Sequence, residues 1–196
     1  GKLTREIIKD YAEQYYQHVK AFPRYISATH SICEDLEKRR ILLENLQDEE
    51  NKDGDHPKLW KNFAKALGAD EKEIEKVKLD WFTKDMIDNF FSQARKSYAE
   101  GLASLYTYER QIPEIAETKI QGLKKFYGVK SKEGLEFFEA HKSADVIHRA
   151  ECEKLLDGLS KEEQKKAESA SLLTARYLWN FLSGMTAKHK LQTIAA

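Results

Sequence analysis

The apolar residues of this chain recur every three or four positions from Thr4 to about Lys188, and nowhere alternate over the length of a strand. That period predicts amphipathic helices and leaves no segment for a sheet. Only 3 prolines and 9 glycines interrupt 196 residues rich in Glu, Lys, Leu and Ala, so helix is the default throughout. Thr4 caps a helix to about Lys20, and Pro23 fits the opening turn of the next. A third runs from about Asp35 to Asn51 and ends in Asp53-Gly54-Asp55. Asp55 caps a short helix, His56 to Leu67, that stops at Gly68, and Asp70 with Glu73 has capping-box spacing for another. A long helix from about Lys84 to Arg110 follows Thr83, and Pro113 begins one that ends at Gly128. Ser131 opens a helix that stops near Gly158, and Ser160 with Glu163 makes a second capping box for a final helix to about Lys188. With no repeat or low-complexity linker, the pattern predicts one all-α domain over residues 1–196, a bundle of about seven to eight helices.

Charge excludes some partners. With 33 basic and 33 acidic residues spread along the chain there is no basic footprint, so no nucleic acid is expected. The longest nearly apolar stretch, Leu172 to Met185, is interrupted by Arg176 and Asn180, so no membrane span is expected either. Gly1-Lys2-Leu3-Thr4 opens directly on the helical pattern, without a secretory signal, and Cys33 and Cys152 make no disulfide framework. Both points suit a reducing cytoplasm.

Polar residues in the apolar stripes carry the chemistry. Between Ser131 and Leu156 one helical face reads Phe137, His141, Asp145, His148, Cys152, Leu155. Burying isolated polar or charged groups costs several kcal/mol unless they are paired or ligated. A carboxylate between two imidazoles on one face is compensated by a divalent cation. Elsewhere Tyr98, Leu102 and Leu105 lead to Glu109. Leu42 and Leu46 lead to Glu49, whereas Leu43 and Leu46 lead equally well to Glu50, and spacing does not choose between them. His56 is close enough in sequence to converge with either. Three histidines and three carboxylates on three or four helices are what a two-metal carboxylate site in a bundle requires. On the stripe Ile112, Ala116, Lys119, Leu123, Phe126, an amine stands among apolar neighbours, where burial would favour its neutral, nucleophilic form. Tyr11 lies between Ile7 and Tyr15, and Tyr106 and Tyr108 lie within a turn of Glu109.

The segments Asp10-Tyr11-Ala12-Glu13-Gln14-Tyr15-Tyr16-Gln17-His18-Val19-Lys20-Ala21-Phe22-Pro23, Asn45-Leu46-Gln47-Asp48-Glu49-Glu50-Asn51 and Tyr108-Glu109-Arg110-Gln111-Ile112-Pro113 carry a resemblance. They resemble the haem-oxygenase-like dimetal oxidases, near the TenA and PqqC proteins, in the branch of the chlamydial protein associating with death domains. The resemblance spans nearly the whole chain, and Glu-x₆-His, Glu, His-x₃-Asp-x₂-His is the branch's distinctive set. It implies a haem-oxygenase-like helical bundle with metal ligands at Glu49, His56, Glu109, His141, Asp145 and His148, and so chooses Glu49 over Glu50. It implies two metal ions, Fe/Fe or Mn/Fe, with O₂ as co-substrate and an external reductant. The implied activity is synthesis of 4-aminobenzoate for folate, with a tyrosine of the protein as ring source and Lys119 as nitrogen donor. Tyr11 and Tyr108 match active-site tyrosines. A homodimer and protein-partner binding also belong to what the resemblance implies.

There are two departures from the family pattern. Family members begin with a further helix that bears the sacrificed tyrosine, and this sequence starts at Gly1, after that point. Phe137 stands where the chlamydial relative has a tyrosine, so no relay through that position is expected. Three rival readings remain. They are a dimetal oxidase acting on an external small molecule, a non-catalytic interaction protein, and a TenA-like hydrolase with Cys152 as nucleophile.

Overall fold

A computed structural model describes residues 1–52 and 54–191, and of residues 143–147 the backbone alone. Among the described residues there are nine helices and no strand: α1 (Arg5–Ser31), α2 (Leu36–Glu49), α3 (His56–Ala66), α4 (Glu71–Lys76), α5 (Trp81–Lys96), α6 (Tyr98–Glu109), α7 (Ile112–Phe126), α8 (Lys132–Asp157) and α9 (Lys161–Lys188). Most helix starts are set by side-chain caps that satisfy otherwise orphaned backbone N–H groups. Thr4 Oγ1 accepts from the Ile7 amide at 3.4 Å and Ser131 Oγ from Gly134 at 3.1 Å. At α9 the box is reciprocal, since Ser160 caps Glu163 while the Glu163 carboxylate accepts from the Ser160 amide at 2.9 Å. Gly68 and Gly128, at φ 93° and 66°, end α3 and α7 in the left-handed region that favours glycine.

Two expected boundaries are corrected. No break occurs between Lys20 and Pro23, because α1 runs through Pro23 to Ser31. An interior proline costs about 3 kcal/mol through its missing donor and its clash with the preceding turn. Phe22, Tyr25 and Ile26, each at most 2% exposed, bury side chains worth about 1.5–3 kcal/mol apiece, so tertiary packing outweighs the local penalty. The expected single helix from Lys84 to Arg110 is instead α5 and α6. Ser97 between them is extended (φ −158°, ψ 162°) and its hydroxyl caps Glu100 at 3.3 Å. Nor does Thr83 cap α5. It is buried, and its hydroxyl donates to Gln14 Oε1 at 2.7 Å. The same oxygen accepts from the Asp80 amide at 3.1 Å and Gln14 Nε2 donates to Lys78 O at 3.0 Å, which pins the start of α5 to α1.

Helix α1 runs through the middle of the bundle and packs on α2, α3, α5 and α6. Helix α9 covers α5 and α6, while α8 lies against α3, α6 and α7. Close approach at Gly101 makes α6 part of this core, since a Cβ there would stand 2.5 Å from Thr29 Oγ1. Asn89, Ser104 and Thr174 tie α5, α6 and α9 through their side chains, with Ser104 and Thr174 hydroxyls 2.9 Å apart. Among the described residues no helix is long and apolar enough to cross a membrane.

Candidate metal centre

The face of α8 expected to be buried is buried: Phe137, His141, His148, Cys152 and Leu155 are all under 9% exposed. Asp145 is on the same helix, but its side chain lies outside the described residues. Glu49 is the last residue of α2 and His56 the first of α3. Leu42, Asn45 and Glu49 form the buried face of α2, whereas Leu43 and Glu50 are exposed, so the turn of the helix carries Glu49 inward and Glu50 outward. Asp55 caps α3 by accepting from the Lys58 amide at 2.8 Å, which fixes His56 in the first turn.

Three of the sequence-derived residues converge from three helices. One ligand-type atom each of Glu49, His56 and His141 lies within 4.8 Å of the others, and all three side chains are buried. His56 Nδ1 is 2.8 Å from Glu49 Oε2, and the His56 and His141 rings are 4.2 Å apart. The Phe137 carbonyl can only accept, so its 2.7 Å contact places a hydrogen on His141 Nδ1 and leaves Nε2 as the lone-pair nitrogen of the neutral ring. Burial, reinforced by the neighbouring His56, holds the His141 pKa well below its ordinary value. The neutral imidazole is the form that ligates a metal. A buried carboxylate beside two imidazoles is the oxygen-and-nitrogen donor set suited to iron or manganese, though imidazole also suits zinc.

Glu109 and His148 are also buried on this side of the bundle, with other partners. Glu109, 1% exposed at the end of α6, accepts from Asn45 Nδ2 at 2.7 Å and from the Cys152 thiol at 3.6 Å. His148 Nε2 donates to Asp48 Oδ2 at 3.1 Å. Cys152, the nucleophile of the hydrolase reading, therefore faces a carboxylate.

Lys119, Tyr11 and Tyr108 line a separate cavity of about 490 Å³, bounded by α1, α6, α7 and α9. Lys119 Nζ donates to Tyr11 Oη at 2.6 Å and lies 4.8 Å from the centre of the Tyr11 ring, 5.8 Å from Trp60 and 5.5 Å from Phe138. The expected Lys119 stripe is half right, since Ala116 and Leu123 are buried but Phe126 is 52% exposed. Tyr11 stacks on Tyr15 at 5.3 Å. Burial first, then Tyr11, pushes the Tyr15 phenol well above its ordinary pKa, and a hydrogen bond with Tyr108 partly opposes this. Tyr106 instead reaches outward to Glu153 at 2.9 Å. Rings connect the two sites. Trp60 lies 6.1 Å from Tyr11 and 4.7 Å from Phe137, which is 4.0 Å from His141.

Asn45 and Asp48, the partners of Glu109 and His148, were not anticipated. Asn45 left a signal, as a polar residue one turn before Glu49 on the same stripe. Asp48 is 58% exposed and left none.

The sequence matches the family of iron-containing redox enzymes over residues 9–179. It is 43% identical to a 4-aminobenzoate synthase of Chlamydia trachomatis, over 93% of this chain and 79% of the relative. It is 38% identical to the 4-aminobenzoate synthase of Nitrosomonas europaea, over 94% and 80%. In structure it is similar to a TenA homologue of Pseudomonas syringae, with a TM-score of 0.80 at 18% identity, over 95% of this chain and 81% of that one.

Proposed function

Because this chain belongs to the family of iron-containing redox enzymes, we propose that it is a dimetal oxidoreductase that forms 4-aminobenzoate from its own tyrosine and Lys119. The carrying observation is the convergence of Glu49, His56 and His141 from α2, α3 and α8 in a buried cluster. In this reading Glu49, His56, Glu109, His141, Asp145 and His148 hold two ions, Fe/Fe or Mn/Fe. Such a pair, when bound, supplies the electrons for reducing O₂. The residues around it orient and shield. The Phe137 carbonyl fixes the His141 ring, Asn45 holds Glu109 and Asp48 holds His148. Trp60, Phe137 and Phe138, all at most 3% exposed, keep water from the space between cluster and cavity. Tyr11 holds the Lys119 amine at 2.6 Å as the nitrogen source, and Tyr108 stands on the cavity wall beside Tyr15. The names of the relatives support the product, and the family supports the metal chemistry. Folate synthesis in the cytoplasm is the place in metabolism this reading gives the protein.

The test is a single-turnover reaction of the protein carrying ¹⁵N-lysine, supplied with iron, manganese, reductant and O₂. Mass spectrometry should find ¹⁵N in the 4-aminobenzoate and a matching loss from the polypeptide. Product released from chains of intact mass would overturn the self-sacrificing route. The cavity beside Lys119 favours a second reading, an external small-molecule substrate, and repeated turnover of an added compound would establish it.

A further inference from the structure

The cavity beside Lys119 has a feature that nitrogen donation does not use. Its lining combines half-buried Ile7, Ile8, Ile112 and Ile115 with buried aromatic Tyr15, Tyr108 and Phe181, and Gln111 and Thr118 add polar groups. Among the described residues that line it, Lys119 is the one charged side chain. An ammonium has three donors. One goes to Tyr11 Oη, and among the described residues no carboxylate pairs with the others. A cation facing an apolar cavity without a counter-ion is costly, and the cost is relieved by an anion that brings its own apolar body. At about 490 Å³ the space lies within the range of small-molecule sites.

The aromatic part of the lining selects a ring. Tyr11 and Tyr15 stack with an interplanar angle of 21°, and Phe181 is tilted against both at 5.8 and 5.2 Å. A flat ring entering beside them meets edges and faces at the separations aromatic pairs prefer. A single cation matches a single negative charge, because among the described lining residues no second cation is present to pair with another. We infer that this cavity is a binding site for a monoanionic carboxylate carried on one aromatic ring, the carboxylate seated on Lys119 and the ring against Tyr11, Tyr15 and Phe181. A consequence rests on the synthase reading given above. The product of that reaction is itself a ring carboxylate, so in chains that have not reacted it occupies the Lys119 nitrogen and withholds it from chemistry. The protein is then restrained by its own product.

Calorimetric titration of the full chain without metal tests the site apart from any activity. Benzoate and 4-aminobenzoate should bind at least ten-fold more tightly than benzamide, which has the same ring without the charge. They should also bind more tightly than octanoate. Lys119→Met should abolish the preference for benzoate over benzamide, and Lys119→Arg should keep it. Equal affinity for benzoate and benzamide would overturn the site, as would an unchanged preference in Lys119→Met. Tighter binding of octanoate would overturn the ring assignment. Should Lys119→Met fail to fold, the benzoate–benzamide pair on the unaltered chain decides. In metal-loaded protein, added benzoate should lower the 4-aminobenzoate formed per chain. Benzoate binding that leaves this yield unchanged would overturn the restraint alone. Absence of product under every condition would overturn the synthase reading and leave the binding result standing.

Discussion

His141 and His18 are both buried imidazoles, 2% and 0% exposed, and burial lowers the pKa of each. Their surroundings differ. His141 has a carbonyl fixing one nitrogen and lies in a cluster with Glu49 and His56. His18 is enclosed by the rings of Tyr15, Phe22, Tyr25, Phe90 and Tyr108 at 4.8–6.0 Å, and among the described residues neither of its nitrogens has a hydrogen-bond partner. Burial and a depressed pKa therefore do not mark a ligand. Under the metal reading, convergence with other donors and an orienting partner behind the ring set His141 apart.

Disabling the His141 cluster should give the largest effect. A metal that binds only the folded chain stabilises it by about 4 kcal/mol at a free concentration ~1,000 times Kd. Glu49→Gln should lose most of that gain in melts run with and without iron or manganese, whereas His18→Leu should keep it. A full metal-dependent gain in Glu49→Gln would erase the distinction between the two regions. One step further out, Asn45→Ala removes the partner of Glu109 and should weaken metal binding about 10–100-fold, as read by competition with a chelator. Unchanged affinity would remove Asn45 from the site.

The smallest effect concerns His18 and pH. Its pKa in the folded chain is lowered to about 3 from 6.5, by burial. Below 6.5 the unfolded chain takes up a proton that the folded chain refuses, so stability is complete above that value and falls as pH drops toward 3. Between pH 7 and pH 5 this one group removes about 2 kcal/mol. Urea unfolding of metal-free protein at the two pH values should show that loss shrinking by the same amount in His18→Leu. An unaltered pH dependence in the variant would contradict the assignment.

Legibility in the sequence followed the same division. The α8 stripe was readable because a regular helix converts spacing into a face, and Phe137, His141, His148 and Cys152 share one. Glu49 and Glu50 were not separable by spacing. Tertiary packing chose Leu42 (1% exposed) over Leu43 (42%) as the inward residue. Pro23 and Ser97 misled in opposite directions: a local breaker was outweighed in α1 by packing, while a serine in a good helical pattern became a cap. His18 gave no signal, because an imidazole on an aromatic face reads as core.

The central claim is that Glu49, His56 and His141 hold metal. Its direct measurement is iron and manganese per chain after reconstitution and removal of loose ions, for the unaltered protein, His141→Ala and His18→Leu. About two ions per chain are expected in the unaltered protein and in His18→Leu, with His141→Ala losing most of them. Near-zero metal in the unaltered chain, or equal content in His141→Ala, would contradict the account.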